Sequence, residues 1–178
     1  MLNKPIRTIY DGPDRNGKTE MAKELSRLIG APYFKNKNEF GAFMDMDSEY
    51  FVSTLIYAEP FFCDFIDQSN GSFIMDRGFA SEWCYSKAFD RPSNDSWIRR
   101  VDEKYASLGT KIVIPVRSSY VGRSDPESGG KIDDSKMELL DSLYRQFSKW
   151  TTCDCLILNV DDEDLAREMK ETIEFLKS

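Results

Sequence analysis

Apolar positions along this 178-residue chain fall into two alternating rhythms. Short runs rich in β-branched and aromatic residues lie at 6–10, 32–35, 72–75, 111–116 and 156–160, with the length and make-up of strands. Between them, apolar residues recur every three or four positions over 18–29, roughly 47–67, 81–89, 96–108, 134–150 and 163–176, the spacing of helices with one buried stripe. Strands alternating with helices predict an α/β fold with a five-stranded parallel sheet, because parallel neighbours need crossovers and the crossover helices cover both faces. Phe73-Ile74-Met75 and Ile112-Val113-Ile114 are unbroken apolar triplets, as strands buried on both faces require. Ligands of such sheets bind beyond the carboxyl ends of the strands. The residues there are Asp11, Lys35, Asp76 and Arg117, so the pattern predicts a polar site for an ionic ligand. No repeat, linker or low-complexity tract divides the chain, and one domain over 1–178 is expected.

The first strand runs into Gly12-Pro13-Asp14-Arg15-Asn16-Gly17-Lys18-Thr19. This fits G-x-x-x-x-G-K-[ST] in the strand–loop–helix setting that gives the pattern its meaning, and it predicts the P-loop NTPase fold. Glycines at 12 and 17 let the backbone curl, so that N–H groups of the loop, those of Asn16 and Gly17 included, converge with the helix N-terminus on phosphate oxygens. Lys18 is expected to reach the β- and γ-phosphates of ATP, and Thr19 to offer its hydroxyl to Mg²⁺.

Composition then narrows the chemistry. The chain contains no histidine, which removes every Ser-His or Cys-His mechanism and leaves carboxylates, Lys, Arg and a metal. Its four cysteines form no C-x-x-C pair and are expected to be reduced and mostly buried. A net charge of −7 argues against a broad footprint on a phosphate backbone and leaves room only for a local basic groove. No apolar run reaches the roughly 20 residues that span a bilayer. The first strand begins too near Met1 to leave room for a signal peptide, so a cytoplasmic location is expected.

A second motif follows the third strand: Asp76-Arg77, then Ser81, Cys84 and Tyr85. An Asp after a buried strand is the natural second contact for Mg²⁺, with Arg77 facing an anionic acceptor; a helix cap with a surface salt bridge is the plainer alternative. Ser81 and Tyr85, four apart, share one helix face. The run Asp76-Arg77-x-x-x-Ser81-x-x-Cys84-Tyr85 resembles the D-R-Y-x-x-S-x-x-A-Y-Q signature of thymidylate kinases, and the phosphate loop with its internal Asp14-Arg15 is similar to theirs. Along nearly the whole chain, the order of elements is that of a compact P-loop nucleoside monophosphate kinase of the kind met in phage nucleotide metabolism. The resemblance implies that Asp14 contacts the acceptor's 3′-hydroxyl and Arg15 the transferring phosphate. It further implies that Asp76 and Arg77 serve metal and acceptor phosphate, that Ser81 and Tyr85 line the acceptor pocket, and that the protein is a homodimer. Gly78 stands where the family has an aromatic residue, Ser86 replaces Gln, and no Arg occurs between Asp47 and Asp67, which leaves the acceptor base open.

Lys35 closes the second strand, where deoxynucleoside kinases carry a Glu base; a lysine there suits an acceptor that is already ionised. A solvated surface lysine is the alternative. Arg117 and Arg123 lie in a Gly/Ser/Pro-rich stretch, a lid region of about 117–133, and could close over phosphates with a planar, charge-spreading fork. The segment 159–164 follows the last strand, where such kinases hold the donor adenine. The resulting expectation is a kinase that moves the γ-phosphate of ATP to a deoxynucleoside monophosphate, thymidylate-like by resemblance. Two alternatives stand beside it: a kinase acting on a hydroxyl of a nucleoside or of a modified base in DNA, and a nucleotide-binding switch.

Overall fold

Strand β1 (Arg7–Tyr10) is buried along its whole length and takes the middle of the sheet. On one side lie β3 (Phe73–Asp76) and then β2 (Tyr33–Lys35); on the other lie β4 (Lys111–Val116) and then β5 (Asp154–Asn159). Every pairing is parallel, as the alternating pattern predicts. The computed structural model describes residues 4–35, 63–64, 67–68, 71–122 and 132–178. The helix expected over 47–67 falls almost wholly outside these, as do Arg123 and most of the lid region.

Side-chain alternation splits the core in two. Tyr10, Ile74, Val113 and Leu158 point to the face covered by α1 (Lys18–Ile29) and α5 (Leu165–Lys177), where they meet Met21, Leu25 and Met169. Ile9, Phe73, Met75, Ile112 and Ile114 point to the other face, covered by α2 (Phe79–Ala88), α3 (Asp95–Ser107) and α4 (Asp134–Trp150). The register sets Tyr10 level with Asp76, and Asp76 level with Lys35. The carboxyl ends of β1, β3 and β2 therefore open at one edge.

The described elements match the expected ones to within two or three residues, and the shifts have local causes. Strand β5 starts at Asp154, two residues early, because Asp154 and Cys155 continue the ladder opposite Lys111 and Ile112; on an edge strand these polar residues cost little. Helix α5 starts at Leu165 because the Asp164 side chain accepts from the backbone N–H groups of Ala166 (3.0 Å) and Arg167 (3.1 Å), the geometry of an N-cap.

Candidate active site

The phosphate loop joins the end of β1 to α1, and its turns are left-handed where the motif demands. Gly17 has φ +66°, a conformation that suits glycine. Gly12 has a different reason: a Cβ there would come within 2.9 Å of the Pro115 carbonyl oxygen on β4. Arg15 and Arg77 share φ +66° with no such licence, at a cost of about 1–3 kcal/mol each. Both are held. Arg15 donates to Asp134 (2.7 Å) and to the Ile132 carbonyl. The Arg77 N–H donates to the Tyr10 carbonyl (2.8 Å), and its guanidinium to Asp14 and Tyr85. One of these left-handed arginines lies within the phosphate loop and the other just after β3, and both side chains line the same cavity.

Asp11 corrects the reading of strand ends as ligand-facing charges. It is completely buried. Its carboxylate accepts from the N–H groups of Gly12 (3.1 Å), Gly78 (2.8 Å) and Ser81 (3.0 Å) and from the hydroxyls of Ser81 (2.5 Å) and Tyr144 (2.8 Å). Burying a carboxylate costs several kcal/mol, and bonds to a charged acceptor contribute about 1.5–3 kcal/mol each, so a full set offsets the cost. Asp11 thereby ties the phosphate loop to the start of α2 and to α4. Burial and the Asp11 charge push the Tyr144 phenol well up, which keeps it a donor. The same knot holds Ser81, predicted to line the acceptor pocket; it is buried and its hydroxyl also meets that of Tyr144 (3.1 Å). The close packing explains Gly78, since a Cβ there would lie 2.9 Å from a methyl of the buried Ile9. In Asp11→Asn the NH2 must meet a backbone N–H, that of Gly12 on one side or those of Gly78 and Ser81 on the other, and the loss should be about 1–3 kcal/mol or more. Urea unfolding measures it, and an unchanged midpoint would mean that the knot does not hold the loop.

Asp14 gathers three side chains of the cavity's edge. One carboxylate oxygen accepts from Arg77 and lies 3.8 Å from the Lys18 amine; the other accepts from the Tyr85 hydroxyl (3.0 Å). Tyr85 also lies beneath the Arg77 guanidinium, 5.5 Å from ring centre to charge, within cation–π range. Burial raises the Tyr85 pKa against the pull of Arg77, so the phenol stays a donor to Asp14. Lys18 itself is buried and donates to the Pro13 carbonyl (2.5 Å).

On the neighbouring strand end, the Thr19 hydroxyl donates to Asp76 (2.6 Å), and the same carboxylate oxygen accepts from Tyr33 (3.1 Å). Asp76 does not cap α2; Gly78 takes that place, with no side-chain cap. Two hard oxygens this close fit a Mg²⁺ ion, whose bonds of about 2.0–2.1 Å place adjacent ligands about 2.9 Å apart. Among the described residues no three carboxylates, thiols or imidazoles cluster as a metal cage. Mg²⁺ needs none, because it keeps water and phosphate ligands.

A cavity of about 730 Å³ runs over the loop. Asp14 to Thr19 form its floor; Lys35 and Arg77 come from the β2–β3 side, and Arg117, Val160, Glu163 and Leu165 from the β4–β5 side. Arg117 is nearly buried, and its fork is shared out: Nε donates to the Arg15 carbonyl (3.1 Å) and to the Asn16 side chain (3.2 Å), while Nη2 pairs with Glu163 (3.0 Å). Asp161 secures the same corner by accepting from the Ser118 hydroxyl (2.6 Å) and N–H (2.9 Å). These bonds pull its carboxyl down to about 2 from 3.8. The clamp's stabilisation is therefore present above the ordinary aspartate range and lost as pH falls through about 2.

The structure thus brings Asp14, Arg15, Asn16, Gly17, Lys18, Thr19, Lys35, Arg77 and Arg117 to one cavity, with Asp76 bonded to Thr19 and Tyr85 to Asp14. Sequence reasoning missed Tyr33, Tyr120, Asp141 and the acid wall of Glu163 and Glu168. One signal was present for Asp141: it interrupts the apolar stripe Met137, Leu140 and Tyr144 of α4, whose face is buried. Tyr120 gave none, since a tyrosine in a Ser/Gly-rich loop reads as ordinary.

No protein-family model and no curated protein sequence matches the chain. Solved structures do, at low identity and over nearly full length. The YorR protein of Bacillus subtilis, in complex with phosphorylated GDP, is 17% identical with a TM-score of 0.67, covering 96% of this chain and 95% of its own. The deoxyadenosine kinase of M. mycoides with bound dATP is 15% identical with a TM-score of 0.65, covering 97% and 100%. The thymidylate kinase of Candida albicans is 13% identical with a TM-score of 0.63, covering 98% and 92%. The architecture is the P-loop NTPase fold expected from the sequence, and the matched thymidylate kinases share it.

Proposed function

We propose that the protein is a nucleotide kinase that transfers the γ-phosphoryl group of ATP to the phosphate of a deoxynucleoside monophosphate, a thymidylate-like acceptor being favoured by the sequence signature. The observation that carries this reading is the charge on the acceptor side. Lys35 and Arg77 share the cavity with the phosphate loop, while Asp14, the carboxylate beside them, already accepts from Arg77 and Tyr85. A phosphate acceptor is ionised near neutral pH and needs neutralisation and alignment, not a base. The kinases of similar fold support the class of reaction, and the loop with Thr19 and Asp76 supports Mg²⁺–ATP as donor. When bound, Mg²⁺ would be held by Thr19 and Asp76 and would supply charge neutralisation on the donor phosphates. Lys18 would approach the phosphoryl group from the loop, and Arg15 and Arg117 would add positive charge as it moves. Catalysis is then positioning plus electrostatics, with no covalent intermediate.

The matched deoxyadenosine kinases keep a second reading in view, transfer to a nucleoside hydroxyl. Removing acceptor-side charge separates the two. Arg77→Gln and Lys35→Gln should each raise KM for a monophosphate by about 10- to 150-fold, the worth of one charged hydrogen bond at about 1.5–3 kcal/mol. KM for ATP should stay near wild type. Phosphorylation of nucleosides, with monophosphates ignored and these variants unaffected, would overturn the monophosphate reading.

A further inference from the structure

Behind the phosphate loop, four residues close a hydrogen-bonded ring. The Tyr120 hydroxyl, in the β4–α4 connection, accepts from the Asn16 amide (2.9 Å) and donates to Asp141 on α4 (2.9 Å). The same Asp141 oxygen accepts from the Arg117 N–H (3.2 Å), and its other oxygen accepts from Arg145 (2.6 Å). The Asn16 amide also donates to the Pro115 carbonyl (2.8 Å), so its oxygen is left to accept from Arg117 Nε (3.2 Å). Tyr120 and Asn16 are each 1% exposed. Arg117 and Asn16 line the cavity; Tyr120 and Asp141 do not.

The ring has a direction. A phenol that donates to a carboxylate presents its lone pair more strongly to the next donor. Here that donor is the Asn16 amide, and the choice fixes which end of Asn16 faces Arg117. A hydroxyl is the group that can give and take at once, and burial raises the Tyr120 pKa, so the proton stays on the oxygen. Arg117 is therefore gripped twice, by its backbone through Asp141 and by its side chain through Asn16. Its Nη1 is buried with no partner among the described residues, so the fork still has a donor to offer.

We infer that Tyr120 and Asp141 are a positioning couple that sets Asn16 and Arg117 against the phosphate donor. The inference rests on the reading of the loop as a nucleotide-donor site. Tyr120→Phe deletes one oxygen, leaves Pro115 to hold Asn16 and leaves Asp141 to hold the Arg117 backbone, so the fold should survive. The expected result is a rise of about tenfold in KM for ATP and in the Kd for ADP by calorimetry, one charged hydrogen bond's worth. The acceptor KM should stay within about twofold, because the couple touches only donor-side groups, while kcat should fall by no more than Arg117→Ala lowers it. Asp141→Asn, which keeps an acceptor oxygen but no charge, should give a smaller rise and serves if Tyr120→Phe does not fold. The readout that a merely structural role would not move is non-additivity. On an Arg117→Ala background, Tyr120→Phe should cost little further donor affinity. Unchanged ATP and ADP affinities in Tyr120→Phe and Asp141→Asn, or fully additive losses with Arg117→Ala, would overturn the couple while the kinase reading stands. A wild-type protein that binds neither ATP nor ADP would overturn both.

Discussion

Lys18→Ala is expected to lower kcat by about 10²–10³-fold or more while the protein stays folded. Deleting one donor aimed at developing charge costs about that much in preorganised sites, and a phosphate-loop lysine bears on the β- and γ-phosphates together. The fold should survive because the amine donates to the Pro13 carbonyl and lies near the Asp14 carboxylate, both within the same loop. The loop is anchored elsewhere, through Asp11 and through Asn16. Single-turnover transfer at saturating ATP, beside a thermal melt, checks both halves. Full turnover in the variant would remove the loop from the chemistry.

Asp76→Asn should be nearly as severe, and it separates the two acceptor classes. The carboxylate lies level with Tyr10 and Lys35, bonded to Thr19 and Tyr33. The amide keeps one oxygen for that place but loses the charge. In a monophosphate kinase, part of the lost kcat should return with higher Mg²⁺ or with Mn²⁺, because an oxygen ligand remains. In a hydroxyl kinase Asp76 would be a candidate base, no metal would restore the rate, and wild-type kcat would fall on acidification through that base's pKa. Measuring kcat of both proteins against metal and pH tells the mechanisms apart. A loss that no metal restores, joined to an acid limb present only in the wild type, contradicts the phosphate-acceptor mechanism.

What the sequence made legible was local. The phosphate loop reads directly because backbone curl, anion contact and helix start are all written in eight consecutive residues, and α1 and α4 run over their expected spans. Asp76 and Arg77 stand out in the sequence because a charged pair after a buried strand is conspicuous. Asp11 was misread for the same reason: position after a strand cannot say whether a carboxylate faces a ligand or a nest of N–H donors, and here Gly78, Ser81 and Tyr144 decide it from 67 or more residues away. Tyr120 and Asp141 escaped because their meaning lies in contacts to Asn16 and Arg117 across chain separations of 104 and 24 residues.

Transfer of the labelled γ-phosphate of ATP to an acceptor panel tests the central claim most directly. Purified protein with Mg²⁺, γ-labelled ATP, deoxynucleosides, their monophosphates and duplex DNA should yield label in a deoxynucleoside diphosphate, with unlabelled ADP beside it. Label recovered only as inorganic phosphate, in a nucleoside monophosphate or in DNA would contradict the account.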